Sequence, residues 1–205
     1  MVTVARTLGS GGDELAEAIA DELGFRYVDS EIIDRAAVLA GASREQIAAI
    51  EDRRGLVDRI ISGIRGSTVP GSRDAGSSRP GPGSGGRASH TYEELIVDVI
   101  RETAAMEFVV IVAHGAAIPL ATVPGVFRVF VTASTATRVA RVAAERGIPE
   151  AEVRDTVDES DKARADFFRR FYQLHEELPT HYDVVINTDV LAPDAAARGV
   201  IALME

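Results

Sequence analysis

Short apolar runs of strand length alternate with amphipathic helical segments along this chain. The first run is Val2 to Arg6, and others fall near residues 25–29, 108–115, 126–134 and 182–189. Strands separated by helices usually lie side by side in parallel, and the helices then cover both faces of the sheet. The alternation therefore predicts an α/β fold of three layers, αβα, built on a parallel five-stranded sheet.

Helical periodicity and turn residues indicate where the helices begin and end. We predict helices at residues 12–23, 31–40, 44–64, 92–106, 134–146, 150–159, 161–177 and 194–204. Residues 66–89 read GSTVPGSRDAGSSRPGPGSGGRAS, a composition that cannot bury enough apolar surface to offset the entropy of ordering. We therefore predict a single domain over residues 1–205 with a flexible insert at 66–89.

Composition narrows the classes of function. The net charge of −10 opposes binding to polyanions, so nucleic acid is not an expected partner. The chain has no cysteine, which excludes disulfides and thiolate metal ligands. No apolar run approaches the ~20 residues of a membrane span, and Met1 leads into a strand-like segment without a signal-peptide pattern. We expect a soluble cytoplasmic protein with no membrane partner.

A glycine-rich turn, GSGG at residues 9–12, joins the first strand to the first helix. Glycines there permit positive φ angles, and backbone amides at a helix N-terminus can bind an anion. A tight turn without any ligand explains these four letters equally well. The phosphate-binding pattern GxxxxGK[ST] is also not met, because Asp13 stands at the lysine position and Glu14 at the hydroxyl position.

Other segments resemble one family in the same order along nearly the whole chain. YVDSEIIDR is similar to the acceptor-binding entry of cytidylate kinases, and DESDKARADFFRRFY contains an Asp-Lys-x-Arg element like theirs. FRVFVTASTATRVARVA is similar to the strand and basic helix before their lid, and YDVVINTD to their final strand. The chain thus resembles the cytidylate kinase-like P-loop proteins, whose opening often reads like SRxxGSGGxxI.

The resemblance implies phosphoryl transfer from ATP, carried with Mg²⁺, to a nucleoside monophosphate such as CMP. It also implies a lid at about residues 145–165. The implied site residues are, for the donor phosphates, Gly9, Ser10, Gly11 and Gly12; for the acceptor, Ser30, Arg35 and His114; for catalysis, Asp161 and Arg164; and for further phosphate contacts, Arg138 and Arg141. No protein metal site is implied beyond the Mg²⁺ carried by the nucleotide.

Some features depart from the family pattern. Asp13 replaces a basic residue, and His114 and Gly115 stand where a Gly-Arg pair is expected to bind the acceptor phosphate. The chain could therefore be a catalytically weak or inactive kinase-derived module that binds nucleotide, or a kinase for a non-nucleotide alcohol.

Several site residues also have a purely structural explanation. Ser30 could cap a helix, His114 could pack at a strand end, and Asp161 could stabilise a helix N-terminus. The basic residues Arg138, Arg141 and Arg146 could form surface pairs with Glu145, Glu150 or Glu152.

Overall fold

The computed structural model describes residues 1–29, 31–39, 92–112 and 115–204. The predicted helix at 44–64 and the predicted insert at 66–89 lie outside these residues. Ser30 and His114 lie outside them as well.

The described strands form one parallel sheet of five strands in the order β2-β3-β1-β4-β5. They are β1 (Val2–Arg6), β2 (Arg26–Val28), β3 (Val109–Ile111), β4 (Phe127–Thr132) and β5 (Val184–Asn187). The predicted fold class is confirmed. Because β1 is central, the loop that leaves its carboxyl end is flanked on both sides by the ends of other strands.

The helices connect the strands and cover the sheet. They are α1 (Gly12–Leu23), α2 (Glu31–Leu39), α3 (Tyr92–Ala104), α4 (Thr135–Arg146), α5 (Glu150–Tyr172) and α6 (Pro193–Met204), with a short 3-10 turn at Pro179–His181. The predicted pair of helices at 150–159 and 161–177 is wrong, because α5 is continuous. No glycine or proline interrupts it, and it ends at Gln173, whose φ of 54° is left-handed.

Two apolar cores lie on opposite faces of the sheet, as the alternation of side chains along β3 requires. Val110 packs with α1 and α6, where Leu15, Ile19 and Val200 are buried. Its neighbour Ile111 packs instead with α2 and α3. Each fully buried aliphatic side chain contributes roughly 1.5–3 kcal/mol. This double cover holds the sheet rigid and fixes the edge from which the candidate loops leave.

A third core joins α4 to α5 through valines on both helices, Val139, Val142, Val153 and Val157. Leu8, in the turn after β1, packs against this core. The pair of helices α4 and α5 is therefore attached to the glycine turn by apolar contacts. Arginine side chains of α4 also reach the turn. Within the described part of the chain, no helix combines the length and apolar character needed to cross a membrane.

Candidate functional site

The glycine turn leaves the centre of the sheet and ends at the N-terminus of α1. Gly9 and Gly11 both have φ of 75°, in the left-handed region that favours glycine. Gly11 caps α1, and no side chain makes a capping hydrogen bond there. The first amides of a helix have no intrahelical acceptor, so this end can bind an anion. The hydroxyl of Ser10 is buried within the turn and has no hydrogen-bond partner among the residues that the structure describes.

Close packing explains why glycine is needed at particular positions of the turn. A Cβ at Gly9 would lie 2.7 Å from the carbonyl oxygen of Arg138 and 2.8 Å from Cγ2 of Val142. A Cβ at Gly12 would lie 2.5 Å from Cβ of Arg6. Gly12 has no positive φ, so the approach of Arg6 is what requires glycine there.

Arg138 links the turn to α5. Its side chain is only 5% exposed, and its guanidinium makes paired hydrogen bonds of 2.8 and 2.5 Å to the carboxylate of Asp161. Nη1 also lies 3.5 Å from the carbonyl oxygen of Leu8. Asp161 lies within α5 rather than at a helix N-terminus, so the macrodipole explanation for this residue is wrong.

Arg141 contacts the turn directly. Nη1 donates to the carbonyl of Ser10 at 3.2 Å, and Nη2 donates to the carbonyl of Thr188 at 2.5 Å. The hydroxyl of Thr188 donates to the same Ser10 carbonyl at 2.6 Å. Among the described residues, the hydrogen-bond acceptors of Arg141 are all uncharged, so no carboxylate neutralises its positive charge beside the turn.

Arg164 is held by several neighbours at once. Nε and Nη2 donate to the two carboxylate oxygens of Glu177 at 2.7 and 2.6 Å, and Nη1 donates to the carbonyl of Arg6 at 2.9 Å. The guanidinium lies 4.9 Å from the ring centre of Phe168. The Tyr182 hydroxyl donates to Glu177, and burial together with this carboxylate raises the pKa of Tyr182.

A pocket of about 260 Å³ lies beside this cluster, between α5 and the segment that follows it. Asp161, Arg164, Phe168, His175 and Glu177 are among its lining residues. The structure thus brings together Asp161, Arg164 and Arg138, which the sequence singled out. Sequence reasoning missed Glu177 and Tyr182. The segment HEELP, which contains Glu177, matches no motif. Nothing in the sequence indicated that Glu177 would contact Arg164 and Tyr182.

Arg6 is a third residue that sequence reasoning missed, although it occupies the arginine position of SRxxGSGG. Nε lies 2.5 Å from Oδ1 of Asp13, and Nη2 lies 3.9 Å from Oδ2 of Asp29. Nη1 donates to the carbonyl of Val112 at 2.8 Å. Burial by itself would lower the pKa of Arg6, but Asp13 raises it above its ordinary value. Arg6 therefore joins the ends of β1, β2 and β3 to the first turn of α1.

Arg35 contacts a different part of the molecule. It donates to Glu102 at 3.2 Å and to the hydroxyl of Thr103 at 3.3 Å, in the last turn of α3. Because α3 leads into the amino end of β3, this pair lies toward the edge of the sheet away from the turn. A pocket of about 350 Å³ beside it is lined by Glu31, Asp34, Arg35, Leu39 and Glu102. The acceptor assignment of Arg35, Ser30 and His114 stays a prediction, as does the lid.

Asp189, which follows β5, caps the neighbouring helix α4 at the carboxyl edge of the sheet, the edge from which the glycine turn leaves. Hydrogen bonds from the hydroxyl of Thr137 and the amide of Ser134 lower the pKa of Asp189 from 3.8 to about 2. The cap therefore stabilises the folded state fully at pH values above the pKa that Asp189 has in the unfolded chain. This stabilisation is lost as pH falls through the lower pKa of Asp189 in the folded protein.

We expect Asp189→Asn to be less stable than the unmodified protein at neutral pH, because the charged acceptor is lost. The difference should shrink as pH falls from about 4 toward 2. Urea unfolding of both proteins at several pH values measures it. A stability difference that is constant across this range would contradict the assigned cap.

Comparisons with known proteins show the family and the fold of this chain. The model of the cytidylate kinase-like family matches residues 1–190. An uncharacterized protein from Eubacterium ventriosum superposes with a TM-score of 0.66 and 16% identity, over 99% of this chain and 96% of that one. Shikimate kinase from Acinetobacter baumannii, in complex with shikimate, gives a TM-score of 0.51 and 14% identity over 99% and 91% of the two chains.

A gluconokinase from Sinorhizobium meliloti gives a TM-score of 0.50 and 17% identity over 99% of this chain and 90% of that one. No curated protein matches significantly. Likeness at such identities establishes the fold alone, whereas the family match spans the glycine turn, α4, α5 and all five strands.

Proposed function

Because the chain belongs to the cytidylate kinase-like family, we propose that it transfers a phosphoryl group from ATP to a nucleoside monophosphate, with CMP as the acceptor. The glycine turn is the observation that carries this proposal. The turn contains left-handed glycines and a helix N-terminus capped by Gly11 without a side-chain hydrogen bond, and the Ser10 hydroxyl in it has no partner within the described part of the chain. It lies at the carboxyl edge of a parallel sheet, where ligands of α/β proteins bind. Gly9, Ser10, Gly11 and Gly12 would hold the donor phosphates.

In the proposed transfer, a phosphate oxygen of the monophosphate attacks the γ-phosphorus of ATP. The new bond forms as the bond from that phosphorus to the bridging oxygen breaks, and ADP leaves. Negative charge spreads over the transferred group, so fixed positive groups lower the barrier. Arg141 would supply positive charge at the turn. Arg138, on α4, and Arg164, on α5, would supply further positive charge.

We propose that two carboxylates position the arginines of the site. Asp161 holds both terminal nitrogens of Arg138, and Glu177 holds two nitrogens of Arg164. Guanidinium groups fixed in this way do not have to be ordered during the reaction, which is how preorganised charge assists phosphoryl transfer. The arginines keep further N–H groups that these carboxylates do not use.

The residues near the turn also fit a nucleotide-borne Mg²⁺. Among the described residues, no group of three His, Cys, Asp or Glu could hold a metal by itself. Mg²⁺ usually takes only one or two carboxylates and draws its other ligands from phosphates and water. Glu14 lies in the first turn of α1, with Oε2 3.9 Å from the Cβ position of Gly11, and would hold the ion with Asp13 nearby. The bound ion would neutralise phosphate charge.

Two alternatives each have a supporting observation. Asp13 replaces the usual lysine, and Arg6, Arg138 and Arg164 are all paired with carboxylates, which favours a weak or inactive nucleotide-binding module. Arg35 is paired with Glu102 beside an acidic pocket, which opposes a doubly charged phosphate acceptor more than a singly charged hydroxy acid. Shikimate and gluconate are then the acceptors to test, since the structural neighbours include kinases named for them.

A coupled assay of ADP release tests the three possibilities in parallel. Each reaction contains ATP and Mg²⁺ with CMP, another nucleoside monophosphate, shikimate, gluconate or no acceptor. We expect the largest acceptor-dependent rate with CMP. ATP binding by calorimetry without turnover on any acceptor would favour the module, and turnover only with a non-nucleotide alcohol would favour that kinase.

Variants on α4 and α5 exclude a contaminating kinase. Arg141→Ala should lower the rate, because Arg141 lies against the turn. Arg169→Ala is the matched control, since Arg169 is exposed and pairs with Asp166 on the same helix, α5. Equal rates for the two variants would show that the activity does not depend on this site.

A further inference from the structure

Arg6, the last residue of the central strand β1, lies against Asp13. Asp13 stands where the phosphate-binding pattern has a lysine. Asp13 lies in the first turn of α1, so its carboxylate is close to the helix end at which a phosphate would bind. Two negative groups about 4 Å apart repel each other unless a cation lies between or beside them. The Arg6 guanidinium provides that cation, with Nε 2.5 Å from Oδ1 of Asp13.

The position of Arg6 is set by contacts on several sides. Nη1 donates to the carbonyl of Val112, and the carbonyl of Arg6 itself accepts from Arg164. Gly12 packs so closely over the Arg6 side chain that a Cβ there would lie 2.5 Å from Cβ of Arg6. The turn sequence therefore leaves room for this arginine beneath α1.

Asp13 is held on a second side by the Tyr27 hydroxyl, which lies 3.4 Å from Oδ1. The carboxylate is thus directed toward β1 and β2 by two donors from the sheet. Its charge is offset by Arg6 and its orientation is set by both donors. A carboxylate without these two donors would have neither its charge offset nor its orientation fixed.

We propose that Arg6 masks the charge of Asp13, so that the glycine turn accepts nucleotide phosphates although it lacks the usual lysine. This inference rests on the proposed donor site at Gly9 to Gly12. Arg6 is a positioning residue in this scheme, since it acts through Asp13 and does not itself contact the phosphates. Removing Asp13 should therefore make Arg6 unnecessary for phosphate binding.

Calorimetry with metal-free ATP on four proteins tests the masking: the unmodified chain, Arg6→Gln, Asp13→Asn and the double variant. We expect Arg6→Gln to weaken binding about tenfold, because it leaves the carboxylate unpaired beside the phosphates. Asp13→Asn and the double variant should both bind within about threefold of the unmodified protein, because neither keeps the carboxylate that has to be masked. In Asp13→Asn the Arg6 guanidinium still has a carboxylate beside it, since Nη2 lies 3.9 Å from Oδ2 of Asp29. Thermal unfolding of each variant checks that it folds.

Arg26→Gln is the matched control. Arg26 also pairs with a carboxylate, that of Glu31 at 2.7 Å, but this pair is at the edge strand and away from the turn. Its loss should leave ATP affinity unchanged. A decrease equal to that of Arg6→Gln would mean that general loss of positive charge explains the result.

The outcomes separate this inference from the proposed function. Unchanged ATP affinity in Arg6→Gln overturns the masking. Binding by the double variant that is about tenfold weaker than that of Asp13→Asn also overturns it, because Arg6 would then contact phosphate directly. If Arg6→Gln does not fold, the comparison of the double variant with Asp13→Asn still tests the masking. Binding that follows the expected pattern without turnover supports the masking and refutes the kinase, whereas no binding by any protein refutes both.

Discussion

Gly9→Ala is expected to destabilise the fold by about 2 to 5 kcal/mol and to abolish nucleotide binding. Part of this cost is backbone strain, because alanine is disfavoured at the φ of 75° that Gly9 adopts. The larger part is overpacking, since the new methyl would lie 2.7 Å from the carbonyl oxygen of Arg138. Either the turn or α4 must move. Urea unfolding and ATP calorimetry measure the two effects.

Gly24→Ala separates strain from overpacking. Gly24 has φ of 64°, but a Cβ there would meet no described residue within 4 Å. We expect it to cost about 1 kcal/mol, the strain component alone, and to leave nucleotide binding intact. Equal destabilisation by the two substitutions would mean that α4 does not press on the turn.

Arg164→Ala is expected to combine a loss of stability with a loss of catalysis. The side chains of Arg164 and Glu177 are 23% and 15% exposed, and removing one partner leaves the other largely buried and unpaired. Breaking such a pair from one side costs about 3 kcal/mol. If Arg164 stabilises the transferred group, kcat for phosphoryl transfer should also fall by about 100-fold or more.

A double variant separates these effects. Arg164→Met with Glu177→Gln removes both charges and keeps the approximate volumes, so stability should return to within about 1 kcal/mol of the unmodified protein. Tyr182 can still donate to the new amide oxygen. Activity should stay low because the guanidinium is still missing. Recovery of both stability and kcat would show that Arg164 is only structural.

The sequence predicted the sheet well because each strand is an apolar run bounded by turn residues. β1 and α1 were placed to the residue, since the glycine turn marks where one ends and the other begins. The apolar run at 108–115 is longer than the strand it contains, because among its described residues Val109–Ile111 form β3. The continuity of α5 was missed because its charged middle resembles a helix start.

Long-range partners of the site residues could not be predicted in this way. Arg35 and Glu102 are 67 positions apart, and Arg138 and Asp161 are 23 apart. Such pairs depend on how helices pack, which charge and periodicity do not specify. The position of Arg6 beside Asp13 was equally hidden, although both residues belong to one short stretch of sequence, because the geometry of the turn decides whether they meet.

The surroundings of the glycine turn have a consequence for how the protein is made. Its contacts come from Arg138, Arg141, Thr188 and Pro193, and the Thr188 hydroxyl reaches a carbonyl 178 positions earlier in the chain. The apolar face of α1 is likewise covered by α6. On the ribosome, the first helix therefore emerges long before its cover is synthesised. Within this chain α1 is translated well before α6, so its apolar face stays uncovered until α6 has been made.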